Sequence, residues 1–373
     1  EMHACEDVGL IKFDILGIRN LSILGAAIKI VKNSKGIDIN LVSIPLDNKK
    51  TYEMLARGET MGVFQLGGSS GMTKYIKELK PTKVTDLMAM VALYRPGPIS
   101  VIPEYIERKR NPKLIKYLDP RMEKFLKASY GLIVYQDDLL FCALDLAGYT
   151  WEEADKFRKA VGKKIPAEMA AQRTKFEEGI IKNGQTKEFA ENLWKLFEPF
   201  QSYGFNKAHA ASYGIVAYQT AYMKANYPVE YMTALLTAES SDIDKISLAI
   251  NECRRMKIKV MPPDINESGV DFVNTGDVIR FGLSAIKNVG KAAIEAILEA
   301  RKSGVFTSFS DFIEKADARR VNKKVVESLI KVGALSSFGN RASLLGGLSS
   351  ARSRTSKRGE ENQQILFESA PVD

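Results

Sequence analysis

From about residue 72 to residue 260 the apolar residues recur every three to four positions, and hardly any stretch alternates. That period commits the bulk of the chain to amphipathic helices packed on one another. In "LLFCALDLAGY" it puts Leu139, Leu140, Ala143, Leu144 and Ala147 on one face. In "AENLWKLFEPF" it does the same with Leu193, Trp194 and Phe197. "YGIVAYQTAYMKANYP" reads as one long helix stopped by Pro228, and "VEYMTALLTAES" opens the next. Before this run, "NLSILGAAIKIVKNS" is a helix closed by Gly36, and residues 48–57 form a short one. The exceptions are few. "LIKFDI" (10–15) alternates, with Ile11, Phe13 and Ile15 on one side, and predicts a half-buried strand. "MGVFQL" is strand-like and runs into "GGSSG", expected to be a flexible turn. "KIKVMPPDIN" holds a short strand, and "DFVNTGDVIRFG" predicts a hairpin with Gly276 in its turn. The expected fold class is mainly α with a few short β strands.

At 373 residues and 45% hydrophobic content, two or three domains with ample core are expected. No run of eighteen apolar residues exists, so no membrane span is expected. Cys5, Cys142 and Cys253 are far apart and form no C-x-x-C pair. That supports neither a disulfide framework nor a zinc site, and points to a reducing cytoplasm. The chain opens on Glu1 without the pattern of a signal peptide, which suggests that it begins inside a longer gene product. After Gly347, "LSSARSRTSKRGEENQQ" has the composition of a disordered linker.

The net charge is +9, which favours an anionic partner, nucleic acid first among them. Basic clusters lie at 108–116, 156–164 and 319–324 and in the linker; any one alone reads as a solvated face. In the second, Lys156, Lys159 and Lys163 fall at helical spacing, beside Arg158 and Lys164. Like charges so placed repel by roughly a few tenths of a kcal/mol per pair, and a phosphate-rich ligand would supply the counter-charge. Arg95 stands before a Pro-Gly-Pro elbow; by itself it reads as the exposed arginine of a helix terminator. In "SYGFNKAHAASYG" (202–214), Asn206, Lys207 and His209 sit among small and aromatic residues.

"FGLSAIKNVGKAAIEAILEARKSG" (281–304) resembles a helix-hairpin-helix, with Asn288 in place of the first turn glycine. Asn tolerates positive φ, so the turn survives. In that motif the N–H groups opening the second helix hold a DNA phosphate, which points to Gly290 and Lys291. "NKKVVESLIKVGALSSFGNRASLL", with Gly333 in its turn, is a weaker second copy. A tandem pair grips duplex backbone without reading sequence; a plain α-hairpin is the alternative.

"GLIKFDILGIRNLSIL", "GVFQL", "LYRPGP", "YGLIVYQDD", "LAGYTWEEADKFRKAVGKK", "YGFNKAHAASYGIVAYQTAYMKANYPVEYMTALL" and "MPPDIN" occur in this order. Together they resemble the alpha subunits of bacterial DNA polymerase III, the C-family replicative polymerases, over residues 8–350. The resemblance implies a small α/β palm remnant over residues 1–50 and a multi-helical fingers domain over 51–270. A tandem helix-hairpin-helix domain follows over 271–346, then a disordered linker with a clamp-binding motif over 347–373. It implies Mg²⁺-dependent addition of deoxynucleotides to a primer 3′-end by the full-length subunit. The implied partners are primer-template DNA, deoxynucleoside triphosphates, the sliding clamp and other holoenzyme subunits.

Residue by residue, Asp14 matches the third metal-binding aspartate of the family's palm; on its own it reads as the end of a strand. The D-x-D that supplies the other two aspartates has no match here, which puts the activity of this chain alone in doubt. Asp242 and Asp244 instead read as residues capping a helix N-terminus. "YGFNKAHAASY" matches the segment beside the nascent base pair, where Asn206, Lys207 and His209 would face the triphosphate; for His209 this reading stands ahead of the alternative, a cap on the following helix, because resemblance and residue chemistry agree. Arg95, Arg158, Lys163 and Lys164 would line the nucleotide and template path. Gln363, Leu366 and Phe367 fit the Q-x-x-L-F pattern of sliding-clamp binders. The rival expectation is a non-catalytic DNA-binding and clamp-tethering module.

Overall fold

The computed structural model describes residues 2–11, 13, 15, 17–163, 166–198 and 204–353. They fall into two compact units, one of residues 40–226 and one of residues 1–39 with 227–373. The described residues are mostly helical, with one small three-stranded sheet.

In the unit of residues 40–226, the helix Lys207–Asn226 runs through the core with Ala210, Gly214, Ala217 and Ala221 buried. These small residues recur every three or four positions, so the helix packs closely on the helix Val84–Leu93. A Cβ on Gly214 would stand 2.5 Å from Met88 Cγ. The smallness of "AHAASYG" thus serves helix packing at Ala210 and Gly214. Lys224 is buried and donates from Nζ to the Glu59 and Met61 carbonyls at 2.8 and 2.7 Å. It ties down residues 61–66, a chain of tight turns rather than the expected strand. The reason is local: Gly62 and Gln65 both take positive φ, 75° and 59°, which no strand accommodates.

Buried Asp86 accepts Lys109 Nζ at 2.7 Å and the Tyr130 hydroxyl at 3.1 Å. Three further helices, Trp151–Lys163, Pro166–Lys182 and Lys187–Phe197, meet around Phe157, Phe176, Trp194 and Phe197. There Phe157 and Phe176 stack at 5.6 Å with an 8° interplanar angle.

In the other unit, the helix Arg19–Lys35, closed by Gly36 at φ 71°, packs on the helix Pro228–Ala238. Lys35 Nζ reaches buried Glu230 at 3.0 Å. The helix Ile243–Arg255 leads to β1 (Lys259–Met261). Next come β2 (Val273–Thr275) and β3 (Val278–Arg280), paired antiparallel about Gly276 as expected. β3 also pairs with β1 in parallel, giving the order β1-β3-β2. Residues 265–351 close over their own apolar core, including Ile265, Ile297, Phe312, Leu329 and Leu348.

The strand expected over 10–15 is absent from the described residues there, where Ile11, Phe13 and Ile15 are 78%, 80% and 93% exposed. An alternating pattern becomes a strand only beside a partner strand and over an apolar floor.

Candidate nucleic-acid interface

Residues 204–207 are fixed to the start of the helix Gln136–Asp145 by backbone contacts. Phe205 bridges Tyr135 in parallel, and its carbonyl accepts Gln136 N–H at 2.9 Å. Asp137 Oδ2 accepts the Lys207 N–H, also at 2.9 Å. Asn206 takes the N-cap role for the long helix, its Oδ1 accepting His209 N–H at 2.9 Å. His209 is therefore not the cap, and its exposed ring is left for other contacts.

Those contacts form a chain of rings. His209 lies 5.2 Å from Phe205 and 4.1 Å from Tyr213, and Tyr213 lies 5.1 Å from Phe64. Arg95 completes it, with Cζ 4.9 Å from the Phe205 centroid and Nε donating to the Ala92 carbonyl at 2.8 Å. A tight turn just before the Pro-Gly-Pro elbow aims it: Tyr94 sits at φ −76°, ψ 71°, so Arg95 N–H folds back on the Leu93 carbonyl at 2.7 Å. Arg95 is half-buried rather than exposed, with Nη1 and Nη2 buried, so the face open to a ligand is the exposed His209 ring with the Arg95 charge close behind it. Lys207 takes another direction, since residues two apart on a helix do not share a face. Its Nζ lies 5.6 Å from the Tyr135 ring.

The "GGSSG" stretch supports this arrangement and is built rather than loose. Ser69 caps the helix Ser70–Leu79, and its Oγ meets the Tyr94 hydroxyl at 2.8 Å. A Cβ on Gly71 would stand 2.4 Å from that hydroxyl, and one on Gly67 2.3 Å from the Thr60 carbonyl oxygen.

In the unit with residues 227–353, Asn288 takes φ 68°, the conformation expected of it, and its Nδ2 donates to Ser328 Oγ at 3.2 Å. Gly290 is the N-cap of the helix Lys291–Lys302, and a Cβ there would meet nothing within 4 Å. A helix N-terminus with that much room can receive a phosphate. The α-helix expected before this turn is only a 3-10 turn, Leu283–Ala285. The reason lies at its two ends: β3 runs to Arg280 and Asn288 is left-handed, which leaves too few residues between them for more than a short turn. The copy that reads as weaker in sequence is the fuller hairpin. The helix Lys323–Val332 ends on Gly333 at φ 87°, and Asn340 caps a further helical stretch over 341–353.

Residues 20–184 match the family model of the bacterial DNA polymerase III alpha subunit finger domain, and residues 257–344 match that of the helix-hairpin-helix motif. The DNA polymerase III subunit alpha of Thermus aquaticus is 45% identical over 391 residues, covering 100% of this chain and 32% of that protein. That of Mycobacterium tuberculosis H37Rv is 46% identical over 344 residues, covering 90% and 29%. That of Deinococcus radiodurans is 43% identical over 364 residues, covering 94% and 27%. This chain belongs to the DNA polymerase III alpha family. It spans about a third of the length of these relatives.

Several expected site residues of this polymerase-family chain have other engagements. Arg158 pairs with Asp155 at 2.7 Å, as does Lys159, and Lys156 pairs with Glu152 at 2.8 Å. The counter-charge for this basic face is therefore carried by its own helix, one turn back, and needs no phosphate. Asp242 caps its helix as expected, accepting Lys245 N–H at 3.2 Å. Asp14, Lys164, Gln363, Leu366 and Phe367 lie outside the described residues, as does the side chain of Lys163. Sequence reading missed Phe205, Tyr213 and Asp137; the signal for the first was its position one residue before the Asn206 cap.

Proposed function

We propose that this chain is the part of a replicative DNA polymerase that holds primer-template DNA and the incoming deoxynucleoside triphosphate during extension of a primer 3′-end. The observation that carries the reading is the presence on one chain of a finger-domain match, bearing the Arg95, Phe205 and His209 stack, and a helix-hairpin-helix match. Arg95 and His209 offer a cation and a ring to the triphosphate and base, and Lys207 a second cation. Asn206 acts by capping the helix that presents His209. Asn288, Gly290, Lys291 and Gly333 shape two turns that suit duplex phosphates.

The family implies magnesium. Among the described residues no group of three or more His, Cys, Asp or Glu could hold a metal ion, so they do not fit that role. Asp14 and carboxylates of a longer protein would have to supply it. No helix among the described residues is long and apolar enough to cross a membrane, which suits a protein working in the cytoplasm. Gln363, Leu366 and Phe367 would tether the polymerase to a sliding clamp, beside other holoenzyme subunits.

The test is binding of this chain to primer-template across a salt series, with primer extension measured alongside. Salt-sensitive binding without extension is expected. Absence of binding would overturn the reading. Extension by the chain alone would overturn the assignment of the metal site to residues beyond it.

A further inference from the structure

The unit of residues 40–226 also holds a groove of about 950 Å³ that none of the assignments above uses, apart from Lys207 at its edge. Trp151, the first residue of the helix Trp151–Lys163, stands in it 68% exposed, whereas Trp194 is buried at 3%. A tryptophan left in water keeps its largest apolar surface unsatisfied, so its exposure beside a groove marks a stacking surface. Phe125 and Phe141, with ring centroids 5.5 Å apart, line the same groove.

The cations come from separate elements. Lys83 precedes the helix Val84–Leu93, Lys124 and Lys127 belong to the turns around 123–129, and Lys207 opens the long helix. Asp145 is the one acid in the lining, with Lys124 Nζ 2.7 Å from its Oδ2. Lys124 is thus balanced by Asp145, and Lys127 by Glu123 at 3.7 Å, while Glu152 and Glu153 outside the lining pair with Lys156 at 2.8 Å and Lys175 at 2.6 Å. Lys83 and Lys207 carry the charge of the groove that no acid of the described residues balances. The lining itself is net positive.

Cations spread along a groove suit a flexible polyanion better than one compact triphosphate, and the exposed Trp151 ring suits a polyanion that carries stacking faces of its own. Unpaired nucleic acid has both properties, whereas a duplex hides its base faces. We propose that this groove binds single-stranded nucleic acid, a base stacking on Trp151 and the backbone meeting Lys83 and Lys207. This rests on the polymerase reading, to which it adds a place for the unpaired strand.

The test is intrinsic tryptophan fluorescence of the full chain titrated with a short oligothymidylate, paired with anisotropy of a labelled copy. Quenching is expected, and Trp151→Ala should remove it and weaken binding about tenfold. Trp151→Tyr should restore most of the affinity. Lys83→Gln should lower the salt slope by about 0.7. No quenching would overturn the proposal; so would equal quenching by thymidine triphosphate alone, by a duplex, or by a polyglutamate peptide. The two readings fail separately. If primer-template still binds without any Trp151 response, the groove falls and the polymerase reading stands. If the oligothymidylate quenches while primer-template does not bind, the reverse holds.

Discussion

Arg95 and Phe205, 110 positions apart in sequence, form a cation–ring pair with the guanidinium carbon 4.9 Å from the ring centroid. The same ring lies 5.2 Å from His209, so one side chain serves two candidate ligand-facing groups. Phe205→Leu keeps apolar bulk but removes the π face. It should weaken primer-template binding by about 1 kcal/mol, roughly fivefold, and Arg95→Lys should do likewise because an ammonium lacks the planar face. Unchanged Kd values for both variants would remove this pair from the interface.

Asn206 and His209 separate stability from binding. Asn206 caps the long helix, so Asn206→Ala should lower the unfolding free energy by about 1 kcal/mol. His209→Ala should stay within about 0.5 kcal/mol in urea titrations, while weakening nucleotide binding. A destabilised His209 variant would mean that the ring is chiefly a packing element.

Gly67 and Gly68 are neighbours with opposite tolerance. A Cβ on Gly67 would meet the Thr60 carbonyl oxygen at 2.3 Å, and backbone cannot step aside as a side-chain end can. Gly67→Ala should cost about 2 kcal/mol or more by overpacking. A Cβ on Gly68 meets nothing within 4 Å, so Gly68→Ala should be close to neutral. Thermal melts of the two variants provide the comparison, and equal melting temperatures would contradict it.

Asn288 occupies the left-handed region at φ 68°. Asn288→Val should cost about 1–2 kcal/mol, because a β-branched side chain is strained there, and should weaken duplex binding through the distorted turn. Asn288→Gly keeps the conformation and should keep duplex affinity. Equal duplex affinity for the Val variant would detach this turn from phosphate binding.

Asp138 is buried, with Oδ2 accepting the Val134 and Tyr135 N–H groups at 2.9 and 2.8 Å. Burial pushes its carboxyl up to about 6, against the pull of those two donors. The folded value lies above the unfolded one, so the folded state binds the extra proton between about pH 4 and pH 6. Its contribution is fully present below about pH 4 and declines as pH rises to about 6, by about 3 kcal/mol at most. Urea titrations across that range should show the wild type losing stability relative to Asp138→Asn. Parallel profiles would place the carboxyl at an ordinary value.

The helices were legible because their evidence is local. Apolar period, Pro228 as a stop and Gly36 as a closing residue act within a few residues of where they stand, and Asn288 announced its own conformation. Hence the mainly helical class, the hairpin about Gly276 and the helix-hairpin-helix turn could be read from the chain. So could the candidacy of Arg95, Lys207 and His209, through the order of motifs.

Tertiary structure decided what those residues do. Phe205 became a platform because the chain returns to place it beside Tyr135 and under Arg95, and no periodicity encodes a contact across 110 positions. Among the described residues of 10–15 the expected strand is absent for the complementary reason: alternation states which residues could be buried, but a strand needs a partner that only the rest of a structure provides. At Arg158 and Lys159, sequence showed a surplus of charge, and geometry assigned its balance to Asp155 on the same helix. Trp151 reads as one more apolar residue at helical spacing. Its exposure beside a lysine-lined groove is a property of the folded surface, set by which faces the packed helices leave in water.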